Sequence, residues 1–133
     1  MAADDYAIVI GITKYPGLGV SPEDPADLKG SERDALEVAN WLKAEDGGDL
    51  PNDRAHVNLI CTSDFQSEPT ATQGEPQQQR LHDAFHALVE AGKEKPRASR
   101  DDPMLGRRLY VYMSSHGFSP SRYRGALYGE CNS

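Results

Sequence analysis

The strongest constraint on the fold is a near-continuous run of apolar residues close to the start of the chain. Residues 7–12 read AIVIGI and are largely β-branched. Such a run is typical of a strand that is covered on both faces of its sheet. We expect this first strand to span residues 6–13. Similar segments predict two further strands at residues 55–61 and 107–114.

Apolar residues recur at helical spacing in two segments between these strands, at residues 31–44 and 77–91. Ser31 is the expected N-cap of the first helix, and Asp34 completes a capping-box-like pattern. The expected core-facing residues are Ala35, Val38, Ala39 and Leu42 in the first helix and Leu81, Phe85, Leu88 and Val89 in the second. Strands that alternate with helices predict an α/β fold, a three-layer α-β-α sandwich with a mainly parallel sheet.

Length and composition indicate one globular domain over residues 1–133, with 38% hydrophobic and 26% charged residues. The net charge of −7 argues against nucleic acid as a partner, because phosphate binding favours a basic face. The longest apolar run is too short to span a bilayer, and the N-terminus lacks the pattern of a secretory signal. We therefore expect no membrane partner. Cys61 and Cys131 have neither metal-ligand nor disulfide-framework spacing, so the expected setting is reducing and cytoplasmic.

Two motif-like patterns carry little chemical meaning. His82 and His86 share a helix face, but the glutamate of a zinc-binding His-Glu-x-x-His helix is absent, and we expect both side chains to face solvent. The glycines at residues 11–19 follow a strand but lack the Gly-Lys-Ser/Thr ending of a phosphate-binding loop. The sequence therefore predicts no metal site and no cofactor.

The residue best placed for chemistry is His116, which directly follows the third predicted strand. Ligands bind at the carboxyl ends of the strands in open parallel sheets, and imidazole titrates near neutral pH. His116 is thus a candidate general acid or base, and Gly117 is a candidate oxyanion donor through its backbone N–H. The alternative is a structural histidine that closes the strand through a backbone hydrogen bond.

Three segments resemble landmarks of the caspase and metacaspase superfamily. They are residues 6–15 (YAIVIGITKY), residues 28–35 (LKGSERDA) and residues 110–117 (YVYMSSHG), in the order and spacing of that family's large subunit. The resemblance is closer to prokaryotic caspase-like proteins and metacaspases than to animal caspases. It implies a caspase-haemoglobinase-like fold and a cysteine endopeptidase that uses a Cys-His dyad.

The resemblance also implies a role for individual residues. His116 matches the dyad histidine, and Gly117 matches the oxyanion-hole glycine. Ser114 and Asp34 match metacaspase residues of the pocket for the substrate's P1 side chain, which implies cleavage after Arg or Lys. A separate interpretation of Asp34 is a first-turn carboxylate that stabilises its helix through the helix dipole. Leu28 stands where animal caspases have an arginine that holds an acidic P1 residue.

The family's nucleophilic cysteine ends the next strand, several tens of residues beyond the histidine. Cys131 follows His116 too closely and lacks the expected context, while Cys61 ends the wrong strand and suits a small buried hydrophobe. We therefore expect the nucleophile outside these residues. The implied partners are a peptide or protein substrate and a C-terminal remainder of the peptidase that carries the cysteine.

Two other functions remain open at the level of the sequence. A catalytically inactive caspase-like module that binds or regulates a partner is favoured if the following strand ends without a cysteine. A flavodoxin-like small-molecule binder is disfavoured by the Ser-Ser-His-Gly segment at residues 114–117.

Overall fold

The computed structural model describes residues 1–21, 24–25, 27–67, 74–95, 105–118 and 125–126. Within them, the helices are α1 (Ser31–Lys43), a short 3₁₀ helix (Thr62–Phe65) and α2 (Gln78–Glu94). The strands are β1 (Asp5–Gly11), β2 (Gly19–Ser21), β3 (Asp24–Pro25), β4 (Val57–Cys61), β5 (Arg108–Ser114), β6 (Gly117–Phe118) and β7 (Gly125–Ala126).

The main sheet has the strand order β4-β1-β5, and both pairings are parallel. All residues of β1 are buried, which agrees with a central strand covered on both faces. The three predicted strands are therefore parallel neighbours, as the alternating pattern of strands and helices predicts. The pairs β2–β3 and β6–β7 are small antiparallel ribbons outside this sheet.

The two helices cover opposite faces of the sheet. The chain leaves β1 for β4 on one side and then returns across β1 to reach β5, so right-handed crossovers place α1 and α2 on opposite faces. One core joins Ala7 and Val9 of β1 to α1, and the other joins Ile8 and Ile10 to Leu81 of α2. The predicted three-layer α-β-α sandwich is confirmed.

Two details of the helices differ from the sequence prediction. Gly30, not Ser31, is the N-cap of α1, and no side chain caps this helix. Ser31 is buried because the first turn of α1 packs directly on Gly11, where an added Cβ would lie 2.7 Å from the Ser31 carbonyl oxygen. In α2, Phe85 and Val89 are exposed (37% and 55%), since β5 is the last strand of the sheet on this side among the described residues.

Candidate active site

The carboxyl ends of β1, β4 and β5 meet at one rim of the sheet. Gly11 pairs with Cys61 on one side and with Ser114 on the other. Beyond the paired residues, the Ile12 N–H donates to the Ser114 carbonyl oxygen at 3.0 Å, and the Thr13 N–H donates to the Thr62 hydroxyl at 3.1 Å. The three segments that the sequence places at one rim are therefore joined there by hydrogen bonds.

His116 lies at the point where the order of the strands reverses. The chain places β4 on one side of β1 and β5 on the other, so the crevice between the ends of β1 and β5 is a topological switch point. Open α/β sheets bind their ligands in such crevices. His116 follows β5 at this crevice and is partly buried, so the imidazole stands where a ligand would be expected.

The backbone and the ring of His116 both contact Tyr15, which follows β1. The His116 N–H donates a 2.9 Å hydrogen bond to the Tyr15 hydroxyl. The two rings lie edge to face, with centroids 4.7 Å apart and planes at 65°. The Ser115 hydroxyl in turn donates to the His116 carbonyl oxygen at 3.0 Å. The backbone contact agrees with a strand-closing histidine, and the position at the switch point agrees with a catalytic one.

Gly117 and Ser114 flank this histidine at the same rim. Gly117 is exposed and begins β6, where it pairs with Ala126. An added Cβ there would lie 3.2 Å from the Gly125 carbonyl oxygen, so the ribbon leaves little room for a side chain. Ser114 ends β5, and the alternation of β5 places its side chain on the α1 side of the sheet, as for Tyr110 and Tyr112.

Asp34 lies in the first turn of α1, on the same side of the sheet as Ser114. Its carboxylate forms an ion pair of 3.5 Å with Arg33, and both side chains are exposed. Within the described part of the chain, no hydrogen bond or ion pair joins Asp34 to Ser114 or His116. The roles of His116, Gly117, Ser114 and Asp34 in catalysis and substrate binding therefore stay predictions.

The structure brings two further residues to the rim that the sequence did not single out. Tyr15 is the first, and its position at the end of the segment 6–15, shortly after β1, was the available signal. Glu32 is the second: its carboxylate accepts hydrogen bonds from the Thr13 hydroxyl (3.3 Å) and the Ser63 N–H (2.8 Å). It ties the start of α1 to the ends of β1 and β4, and no spacing in the sequence indicates these partners.

Cys61 is a buried free thiol at the end of β4, with an exposed fraction of 5%. Burial raises the pKa of this thiol to about 12, with further contributions from the negative charges of Asp64 and Glu32. A cysteine nucleophile acts as the thiolate, so Cys61 is poorly suited to the role. Cys131 lies outside the described residues.

His82 and His86 are both exposed on α2, as expected. His86 lies 3.8 Å from Glu90, and His82 contacts the Gln78 amide nitrogen at 3.5 Å. Across the described ranges, no three histidine, cysteine or acidic side chains form a group suited to a metal ion. None of the helices within those ranges has the length and apolar character needed to cross a membrane.

Comparison with known proteins finds a relative that is named after an activity. A protein of a Desulfuromonadales bacterium, named a "probable protease", is 30% identical to this chain over 115 residues. The match covers 86% of this chain but only 12% of the relative, so the chain corresponds to a small part of that protein. No protein-family model and no solved structure matches the chain.

Proposed function

We propose that the chain is the large-subunit portion of a cysteine endopeptidase of the caspase or metacaspase type, with His116 as its general acid and base. The observation that carries this proposal is the place of His116 at the switch point between the ends of β1 and β5. The resemblance of the segment 110–117 and the likeness to a protein named a protease support it.

In the proposed reaction, a cysteine thiolate attacks the scissile carbonyl carbon and forms a C–S bond. His116 then gives a proton to the departing amine as the C–N bond breaks, which leaves a thioester. Water hydrolyses the thioester with His116 acting as the base, and the thiolate returns. Backbone N–H groups, with that of Gly117 proposed among them, stabilise the oxyanion at each step.

The nucleophile of this reaction is proposed to lie outside the 133 residues. The high pKa and burial of Cys61 argue against that thiol. We also propose that Asp34 and Ser114 line the P1 pocket. The position of both residues on the α1 side of the rim supports this assignment.

The experiment compares the 133-residue chain with the chain extended by the residues that its gene encodes next. Fluorogenic peptides should be cleaved only by the extended protein. There, His116→Ala should lower kcat by about 100-fold or more, which is typical of losing a general acid-base group. His86→Ala, which removes an exposed histidine from α2, is the matched control and should leave kcat unchanged.

Undiminished cleavage by the His116→Ala variant contradicts the proposal. Thiol-dependent cleavage by the 133 residues alone would contradict the proposal that the nucleophile lies outside them. Cys131 would then be the candidate nucleophile. If the extended protein lacks both activity and a cysteine at the end of the following strand, the non-catalytic binding module is favoured instead.

A further inference from the structure

Tyr15 is a fully buried aromatic side chain near the candidate active site, with no exposed surface. It packs in the core between the sheet and α2, together with Ile10 and Ile12 of the first strand segment. Its hydroxyl reaches out of this core to the His116 N–H, and its ring lies against the imidazole. A rigid core residue is therefore in direct contact with both the backbone and the ring of the candidate catalytic histidine.

The segment around Tyr15 is itself held by hydrogen bonds. The Tyr15 N–H donates to the Asp27 carboxylate at 3.2 Å, and Lys14 Nζ donates to the same carboxylate at 3.0 Å. The Leu28 N–H closes the loop by donating to the Thr13 carbonyl oxygen at 2.9 Å. Burial acts to raise the pKa of Asp27, but the bonds from Lys14 and Tyr15 outweigh it and lower that pKa below its ordinary value. Asp27 is therefore ionised near neutral pH and accepts the hydrogen bond from the Tyr15 N–H as a carboxylate.

We propose that Tyr15 is the positioning residue for His116. The inference rests on the proposed function, since it assigns Tyr15 a role in that reaction. The hydrogen bond from the His116 N–H to the Tyr15 hydroxyl fixes the backbone just after the end of β5. The edge-to-face contact between the two rings restricts the rotation of the imidazole. A proton transfer depends steeply on such alignment, so a small displacement of the ring lowers the rate of the chemical step. Tyr15 acts through His116, because its burial keeps it from contacting substrate.

Two substitutions separate the hydroxyl of Tyr15 from its ring. In the extended protein, Tyr15→Phe should lower kcat about tenfold, and Tyr15→Leu, which also removes the ring contact, should lower it about 100-fold. KM should change by less than about twofold in both variants, because substrate binding does not involve Tyr15. Tyr6→Leu is the control for lost core packing, since Tyr6 is a buried tyrosine at the opposite end of β1.

Amide hydrogen exchange in the 133-residue chain gives a readout that does not depend on activity. Tyr15→Phe should speed the exchange of the His116 amide by about tenfold, since its acceptor is lost, while the Ile12 amide, bonded to Ser114, should be unaffected. Three outcomes would overturn the positioning role. The first is an unchanged exchange rate of the His116 amide in Tyr15→Phe, and the second is a rise in KM as large as the fall in kcat. The third is a fall in kcat in Tyr6→Leu as large as that in Tyr15→Leu. Full activity of His116→Ala overturns the proposed function instead, whatever the exchange rates show.

Discussion

Arg107 donates two hydrogen bonds, 3.0 and 2.9 Å long, to the carboxylate of Asp5 at the end of the sheet opposite to His116. The Arg107 N–H also donates to the Asp4 carbonyl oxygen at 2.7 Å. Asp5 is buried and begins β1, whereas Arg107 is largely exposed and precedes β5. This bidentate pair joins the start of β1 to the residue before β5, at one end of the parallel ladder whose other end pairs Gly11 with Ser114.

The Asp5–Arg107 pair should contribute to stability above about pH 4. The hydrogen bonds from Arg107 lower the pKa of Asp5 below its ordinary value of 3.8, against the opposing effect of burial. The stabilisation is thus complete above the unfolded-state pKa and is lost as the pH falls through the lower folded-state pKa. Asp5→Asn should destabilise the chain at pH 7 by on the order of 2 kcal/mol. It should also make the free energy of unfolding depend less on pH in the acidic range.

Arg107→Met provides the matched comparison for Asp5→Asn. It leaves a buried carboxylate without its partner, so it should destabilise the chain more than Asp5→Asn does at pH 7. Denaturant melts of the three proteins from pH 3 to pH 7 measure both effects. This account would be contradicted if both variants lost the same free energy of unfolding. It would also be contradicted if the difference in free energy of unfolding between each variant and the parent chain did not change with pH.

Gly11 should not tolerate a side chain. An added Cβ would lie 2.7 Å from the Ser31 carbonyl oxygen and 2.9 Å from the Ala35 Cβ, so Gly11→Ala must push α1 away from the sheet. Overpacking of this kind costs about 1–3 kcal/mol. The control is Gly30→Ser, where the nearest atoms to an added Cβ are 3.6 Å away and serine is a favourable N-cap. Urea denaturation should show a loss for the first variant only.

Cys61 should be chemically inert in the folded chain. Its pKa of about 12 leaves almost no thiolate at pH 8, and its side chain is buried. In a Cys131→Ser background, so that Cys61 is the reporter thiol, an aromatic disulfide reagent should react only after guanidinium unfolding. Cys61→Ala should leave peptide cleavage by the extended protein unchanged. It should lower the free energy of unfolding by about 1 kcal/mol. Fast labelling of the native chain would contradict this prediction.

Specificity at P1 should depend on Asp34 and not on Arg33. A carboxylate pairs well with a guanidinium or ammonium group, so the extended protein should cleave after Arg or Lys and not after Asp. Asp34→Ala should lower kcat/KM for these substrates by about 10-fold to 100-fold, the range of a charged hydrogen bond.

Arg33→Ala is the control for that experiment, because Arg33 is the residue that pairs with Asp34 at 3.5 Å. It should preserve or raise the same kcat/KM, since it frees the carboxylate from a competing cation. Peptides that vary only at P1 decide the matter. A preference for Asp at P1, or an unaltered preference for Arg and Lys in Asp34→Ala, would remove Asp34 from the pocket.

The sequence alone determined the layers of this protein and the rim that carries its candidate site. The apolar run at residues 7–12 made β1 a central strand, and the alternation of strands with helices made the sheet parallel. These features are local or periodic, so they can be recognised without knowing which residues meet. The same pattern placed His116, Gly117 and Ser114 at the carboxyl end of β5, where the structure has them.

Only the tertiary structure decided which distant side chains meet. Tyr15 contacts His116 across 101 positions of sequence and Arg107 binds Asp5 across 102, and neither pairing follows from any spacing. The burial of Ser31 under Gly11 and the exposure of Phe85 and Val89 likewise depend on how α1 and α2 dock on the sheet. Helical periodicity marks an apolar face, but the shape of the opposing surface determines how much of that face is covered.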